Sequence, residues 1–233
     1  MTNPDVSPFD RPVTLRESVA GHLRDMIMFG VLKPGQRLRE QALCEELRIS
    51  RSTLREALRT LEAERLVVIP AHRGPLVASL TLDEVKDLYA MRELLEGYIA
   101  SSFATNATEE HRQLLRDSFD RLALLAGSGD RGDLLGAKQA FYQALLEGCP
   151  NMVAAEMLSS LLSRIGLLRA TSLSQPDRAS RSINEIAAIV KAIDRRDGQA
   201  AERAAGRHIR RARQAALEVL QATPFADLEF DDD

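Results

Sequence analysis

A mainly α fold is expected for this chain: an N-terminal winged helix-turn-helix followed by an all-helical bundle. Three observations carry that expectation. Leu, Ala, Arg and Glu dominate the 233 residues, Trp is absent and aromatics make up 4%, a helix-forming mixture. Apolar residues recur at three- and four-residue spacing along most of the chain, in segments opened by Ser or Thr caps. One β-prone stretch, Val67-Val68-Ile69 and Leu76-Val77-Ala78, surrounds Pro70, Gly74 and Pro75 and directly follows two short helical segments.

Residues 1–12 carry Pro4, Pro8 and Pro12 and read as a disordered arm. Thr14 and Glu17 form a capping box that opens a first helix, whose stripe is Leu15, Val19, Leu23, Met26 and Ile27. Gly30 stops it, and Pro34-Gly35 makes a turn. A short helix from about Arg39 to Leu47 is broken by Arg48-Ile49-Ser50. Ser50 then caps a second helix reaching about Glu64, with Leu54, Leu58 and Leu61 inward. The β-prone stretch is the wing hairpin, which completes a DNA-binding domain over residues 13–79. Val77 to Leu82 is the expected linker.

From Thr81 the pattern is purely helical, and Thr81 with Glu84 makes a second capping box. Helices are expected over 81–105, 108–126, 131–147, 151–170, 178–195 and 198–221, a bundle domain over residues 80–222. Residues 223–233 form an acidic tail ending in Asp231, Asp232 and Asp233. The formal charge is −3, but it is unevenly spread. Residues 1–79 hold 12 Lys and Arg against 10 Asp and Glu, net +2, and the remainder holds 19 against 24, net −5. That split suggests two parts with different partners. No secretory signal or apolar run long enough to span a membrane is visible, and Cys44 and Cys149 lack metal-type spacing, so a reduced cytoplasmic protein is expected.

The second helix of the unit reads Ser50-Arg51-Ser52-Thr53-Leu54-Arg55-Glu56-Ala57-Leu58-Arg59. Its outward Arg51, Ser52, Thr53, Arg55 and Arg59 supply guanidinium forks and hydroxyls, the groups that bond phosphates and base edges. On an isolated helix such a face is ordinary solvated surface; the ordered set of cap, turn, basic helix and wing points to DNA. The run Gly30-x-Leu32-x-Pro34-Gly35-x-x-Leu38-x-Glu40, then Ser50-Arg51-x-x-Leu54-Arg55-Glu56-Ala57-Leu58, Leu61-Glu62 and Arg73-Gly74 resembles the GntR family of bacterial regulators. The resemblance implies a major-groove recognition helix and a wing tip at the minor groove. It places the contacts at Glu40, Arg51, Ser52, Thr53, Arg55, Arg59, Arg73 and Gly74. Glu40 fits a base-amine acceptor, an orienter of a neighbouring arginine, or a plain surface carboxylate. Gly74 either brings the wing backbone close to DNA or completes the turn.

The helical half resembles the FCD-type effector domain of the FadR-like branch, in its six-helix, VanR-like variant, through Met91-Arg92-x-Leu94-x-Glu96, Phe141 with Leu145, Pro150-Asn151 and the stretch from Ser182 to His208. That resemblance implies a sensor, a homodimer on a palindromic operator, and a metal held by an Asp-x-x-x-His pair and two further histidines. Those four positions fall here on Lys138, Tyr142, Ile186 and His208. A protonated lysine and an isoleucine are not ligands, so no metal cofactor is expected.

Helical spacing adds an independent point. Arg92 lies in the stripe Leu88, Leu95 and Ile99; Lys138 shares a face with Leu134, Phe141, Tyr142 and Leu145; His208 shares one with Ala201, Ala204, Ala205, Ala212 and Ala215. Buried cations need anionic partners, so Arg92, Lys138, Tyr142 and His208 suggest a pocket for a small carboxylate or phosphate. The plainer alternatives are that Arg92 pairs with Glu96, Lys138 snorkels to solvent, and Tyr142 and His208 are packed core residues. Two other functions stay in view: a ligand-independent DNA-binding scaffold with a filled pocket, and an enzyme using Lys138 as a desolvated amine. The second lacks a nucleophile elbow, a phosphate loop and paired carboxylates, so no enzyme is expected.

Overall fold

The computed structural model describes residues 14–126, 131–172 and 178–222. The proposed arm at 1–12 and the tail at 223–233 lie outside the described residues. Nine helices and one hairpin are present among the described residues: α1 (Leu15–Met28), α2 (Glu40–Leu47), α3 (Arg51–Ala63), β1 (Val67–Val68), β2 (Leu76–Val77), α4 (Leu82–Asn106), α5 (Glu109–Leu125), α6 (Arg131–Glu147), α7 (Met152–Ser172), α8 (Arg178–Asp194) and α9 (Gly198–Ala222).

The caps explain the helix starts. Both capping boxes close reciprocally: Glu17 N donates to Thr14 Oγ1 at 3.3 Å while Thr14 N donates to Glu17 Oε2 at 2.9 Å, and Thr81 with Glu84 repeats the pattern. Between α2 and α3, Arg48 adopts φ 53° and lets Ile49 N reach back to Cys44 O at 3.1 Å, which sets the tight turn of the helix-turn-helix. Ser50 then caps α3 by accepting from Thr53 N at 3.1 Å. The stripe Leu54, Ala57, Leu58 and Leu61 turns inward, leaving the other face of α3 in solvent.

The hairpin is antiparallel, with Val67 opposite Val77 and Val68 opposite Leu76. Residues just before α2 flank it: Leu38 N donates to Pro75 O at 2.8 Å and Val77 N to Gln36 O at 2.9 Å. Gly74 stands at the wing turn with φ 72°, a left-handed conformation that a Cβ would strain.

In the bundle, α4 lies along α9, α8 packs on α9, and α5 packs on α6 and α8. The expected linker is not a loose tether. Val77 belongs to β2, Ala78 N donates to Leu66 O at 2.9 Å, and Ala78 and Leu80 are buried. The reason is that one apolar cluster runs through both halves, from Leu23, Leu58 and Leu61 through Leu80, Val85 and Leu88 to Ile165, Leu168, Ile209 and Leu220. At the seam, α1 crosses α7 so closely that a Cβ on Gly166 would stand 2.8 Å from Met28 Cγ. A second cluster, around Ile99, Phe103, Phe141, Leu158 and Ile193, fills the far half of the bundle.

Candidate functional site

Two polar assemblies stand out, one on the surface and one inside. On the surface, α3 displays Arg51, Ser52, Arg55 and Arg59 to solvent, with Thr53 half-buried. The hydroxyls of Ser52 and Thr53 each lie 2.8 Å from Ser50 Oγ, so the N-terminal turn of α3 is tied together by its own cap. Arg55 Nε donates to Glu40 at 3.1 and 3.2 Å, which orients the guanidinium across from α2. Of the roles the sequence left open for Glu40, the geometry displays the arginine-orienting one. Arg73 is exposed on the wing beside Gly74. Exposed arginines at the start of a helix, with the helix N-terminus beside them, make a surface suited to phosphates and base edges.

Inside the bundle, the expected residues Arg92, Lys138, Tyr142 and His208 come together from α4, α6 and α9. Arg92 is 2% exposed. Its Nε donates to Glu96 one turn on, its Nη2 donates to the Tyr142 hydroxyl at 2.5 Å, and that hydroxyl donates to Glu96 Oε2 at 3.3 Å. The guanidinium carbon also sits 5.4 Å from the ring centres of both Tyr89 and Tyr142. Burial works against the charge on Arg92, but Glu96 and the two tyrosines outweigh it and hold the group firmly protonated. Lys138, half-buried, donates from Nζ to Ser182 Oγ on α8 at 3.4 Å.

His208 is fully buried, and its Nδ1 lies 2.7 Å from Glu185 Oε2. The same carboxylate accepts from Arg178 at 3.2 Å and from Arg211 at 3.4 Å. Burial raises the Glu185 pKa, but His208 and Arg178 together pull it below its usual value, so it is ionised. For His208, burial dominates and pushes the pKa down to about 4; Glu185 and Glu96 oppose the shift, and Lys138 and Arg92 reinforce it. The imidazole is therefore neutral at pH 7. Two cavities reach this cluster. One, of about 490 Å³, lies at the seam between the halves and is lined by Arg24, Glu64, Gln139, Tyr142, Gln143 and Ser163. The other, of about 430 Å³, is lined by Arg178, Arg181, Glu185, Arg211, Gln214 and Glu218.

Comparison with known proteins identifies both halves. Residues 15–77 match the gntR family of bacterial regulatory proteins, and residues 87–211 match the FCD domain. The chain belongs to the GntR family, with an FCD domain as its second half. It is 26% identical over 195 residues to the HTH-type transcriptional regulator YdhC of Bacillus subtilis, covering 83% of this chain and 87% of that one. It is 33% identical over 159 residues to LutR of the same organism, covering 61% and 70%. The fold matches that of Escherichia coli McbR/YncC with a TM-score of 0.81 at 20% identity, over 89% of this chain and 99% of that one. This GntR protein is thus a DNA-binding transcriptional regulator with an effector-binding domain of the FCD type.

The metal that the FCD resemblance implies does not suit the residues present. Among the described residues no three His, Cys, Asp or Glu side chains are grouped as metal ligands. The Tyr142 hydroxyl is engaged with Arg92 and Glu96, and Lys138 sets a positive charge near His208 where a cation would bind. Ile186 packs in the far apolar cluster, and the residue facing His208 is its neighbour Glu185. Sequence reasoning also missed Arg178 and Ser182. They lie seven and three residues before Glu185 on one face of α8, and all three are buried, a polar stripe that could have been read from the helical period.

Proposed function

We propose that this regulator acts as a homodimer on a roughly palindromic operator in the cytoplasm and is controlled by a small anion, a carboxylate or phosphate bound without a metal ion. In this reading Arg51, Ser52, Thr53, Arg55 and Arg59, with Arg55 steadied by Glu40, meet the major groove, and Arg73 and Gly74 meet the minor groove. Arg92, Lys138, Tyr142 and His208 form the effector end.

The observation that carries the anion reading is the meeting of Arg92 from α4, Lys138 from α6 and Arg178 from α8 inside one polar cluster of the bundle. Guanidinium and ammonium groups gathered in this way are the donors with which carboxylates and phosphates make their strongest hydrogen bonds. Dimerisation is supported by an apolar surface that would be costly to leave in water: Met91, Leu94 and Tyr98 on α4 are exposed beside Met152, Val153 and Met157 on α7, and Asn151 Nδ2 donates to the Tyr98 hydroxyl at 3.0 Å across the two helices. No described helix is long and apolar enough to cross a membrane.

A second reading is favoured by one observation. Glu96 and Tyr142 already satisfy the Arg92 guanidinium, as they would in a ligand-independent scaffold. Thermal shift against a panel of small acids and orthophosphate, with analysis of bound metal, separates the two. The sensor reading expects stabilisation by at least one acid in metal-free protein, lost in Lys138→Ala. Stoichiometric zinc or nickel, or a Lys138→Ala variant with an unaltered response, contradicts it.

A further inference from the structure

The cavity of about 490 Å³ at the seam has the volume of a small-molecule site, and each half of the chain builds one side of it. Arg24 and Met28 come from α1, and Glu64 is the residue that closes α3, the helix carrying the exposed arginines. Gln139 and Gln143 come from α6, and Glu156, Ser160 and Ser163 from α7. Arg92, Lys138 and His208 do not line it. It meets the buried cluster at Tyr142, whose hydroxyl is held by Arg92 and Glu96.

The chemistry of the walls selects the occupant. Arg24 donates to Glu64 through Nε at 2.8 Å and Nη2 at 2.6 Å, so the one cation lining the cavity among the described residues is already neutralised, and an acid has no free charge to meet. An ammonium group would find Glu156, which is exposed, and an exposed ion pair is worth little. What remains is neutral and two-sided, amides and hydroxyls that both donate and accept. The side chains of Gln139 and Ser160 make no hydrogen bond among the described residues. Gln143 donates to Glu147 at 2.9 Å and Ser163 to Ser159 O at 3.1 Å, and each keeps an acceptor oxygen. Met28, Leu146 and Leu162 add apolar wall.

A sugar or polyol matches both features: each of its hydroxyls donates and accepts, and its C–H faces pack on apolar side chains. We propose that the seam cavity is a second effector site, for a neutral polyhydroxy compound. Its occupant touches α1 and the end of α3 on one side and α6 and α7 on the other, and so biases how the reading half meets the bundle. The site is separate from the acid-sensing cluster and does not depend on it.

The test uses full-length protein with ¹³C-methyl-labelled methionines and five probes: glucose, ribose, mannitol, myo-inositol and sucrose. At least one is expected to bind in isothermal titration with a Kd of about 1 mM or tighter. It should move the methyl signal of Met28, assigned through the volume-conserving Met28→Leu, and leave in place that of Met91, which is exposed on α4 and does not line the cavity. Gln139→Leu and Ser160→Leu each replace a side chain that makes no hydrogen bond, so both should melt as wild type yet bind that probe about ten-fold more weakly or worse. Saturating probe should change operator affinity by about five-fold or more in fluorescence anisotropy. Should the leucine variants melt well below wild type, the Met28 signal decides.

Failure of all five probes to bind overturns the proposal. Binding that leaves Met28 unmoved, or that survives both leucine substitutions at full strength, overturns it as well. Binding at the seam with unchanged operator affinity overturns the role as an effector site. Stabilisation by small acids that persists through any of these failures leaves the anion-sensing reading standing.

Discussion

The arginines of α3 and the arginines of the bundle are the same residue put to opposite uses. On α3, Arg51, Arg55 and Arg59 stand in solvent on a helix whose inner face is purely apolar, and Arg55 leans on Glu40 while 64% of its side chain stays exposed. Inside the bundle, Arg92 and Arg178 are almost wholly buried, and each is bound to a carboxylate on its own helix. The surface set costs the fold little and can be spent on a partner. The buried set must be paired for the bundle to stand, so any ligand it serves has to work through a network that already exists. DNA binding and effector binding should therefore fail independently, and with different signatures.

The largest effect is expected where that pairing is broken. Glu96→Ala strands Arg92 in the core and should lower folding stability by about 3–5 kcal/mol in chemical denaturation. Replacing both partners with leucine should restore much of that loss while removing the effector response.

Next comes acid. His208 has a folded-state pKa of about 4, below its unfolded value, so the native ring resists a proton that the unfolded ring accepts. Its contribution is complete above pH 6.5 and is lost as pH falls towards 4. That should cost about 3 kcal/mol over the interval, flattened in His208→Asn, when denaturation midpoints are followed against pH. Glu185, whose pKa is also lowered, adds in the same direction at the acid end.

On the surface, Arg55→Ala should weaken operator binding by about 1–3 kcal/mol per half-site in fluorescence anisotropy, with an unchanged melting temperature. The smallest effect tests the seam. Gly166→Ala presses on Met28 and should cost about 1 kcal/mol. Because the seam joins the halves, it should alter how strongly an effector shifts DNA affinity more than it alters either binding event alone.

Much of the fold is legible in the sequence because its signals are local. Thr14 with Glu17, Thr81 with Glu84 and the Ser50 cap fix helix starts within a few residues, and apolar spacing does the rest. The same spacing predicts that Arg92, Lys138, Tyr142 and His208 face inward. It does not reveal that Glu185 rather than Ile186 meets His208, since one residue turns a helical side chain by roughly 100° and only the packing of α8 on α9 settles the angle. Nor does it reveal the shared core that turns Val77 to Leu82 from a linker into a packed joint, because contacts such as Leu80 with the buried cluster depend on how the halves meet.

The central claim is that α3 reads DNA while the buried cluster senses an acid. The most direct measurement titrates an operator fragment with wild type, Arg55→Ala and Lys138→Ala, each with and without an acid that stabilises the wild type. The account predicts that Arg55→Ala loses DNA affinity but keeps its ligand-induced thermal shift, and that Lys138→Ala binds DNA as wild type but no longer responds to the acid. Full DNA affinity in Arg55→Ala, or an intact acid response in Lys138→Ala, would contradict it.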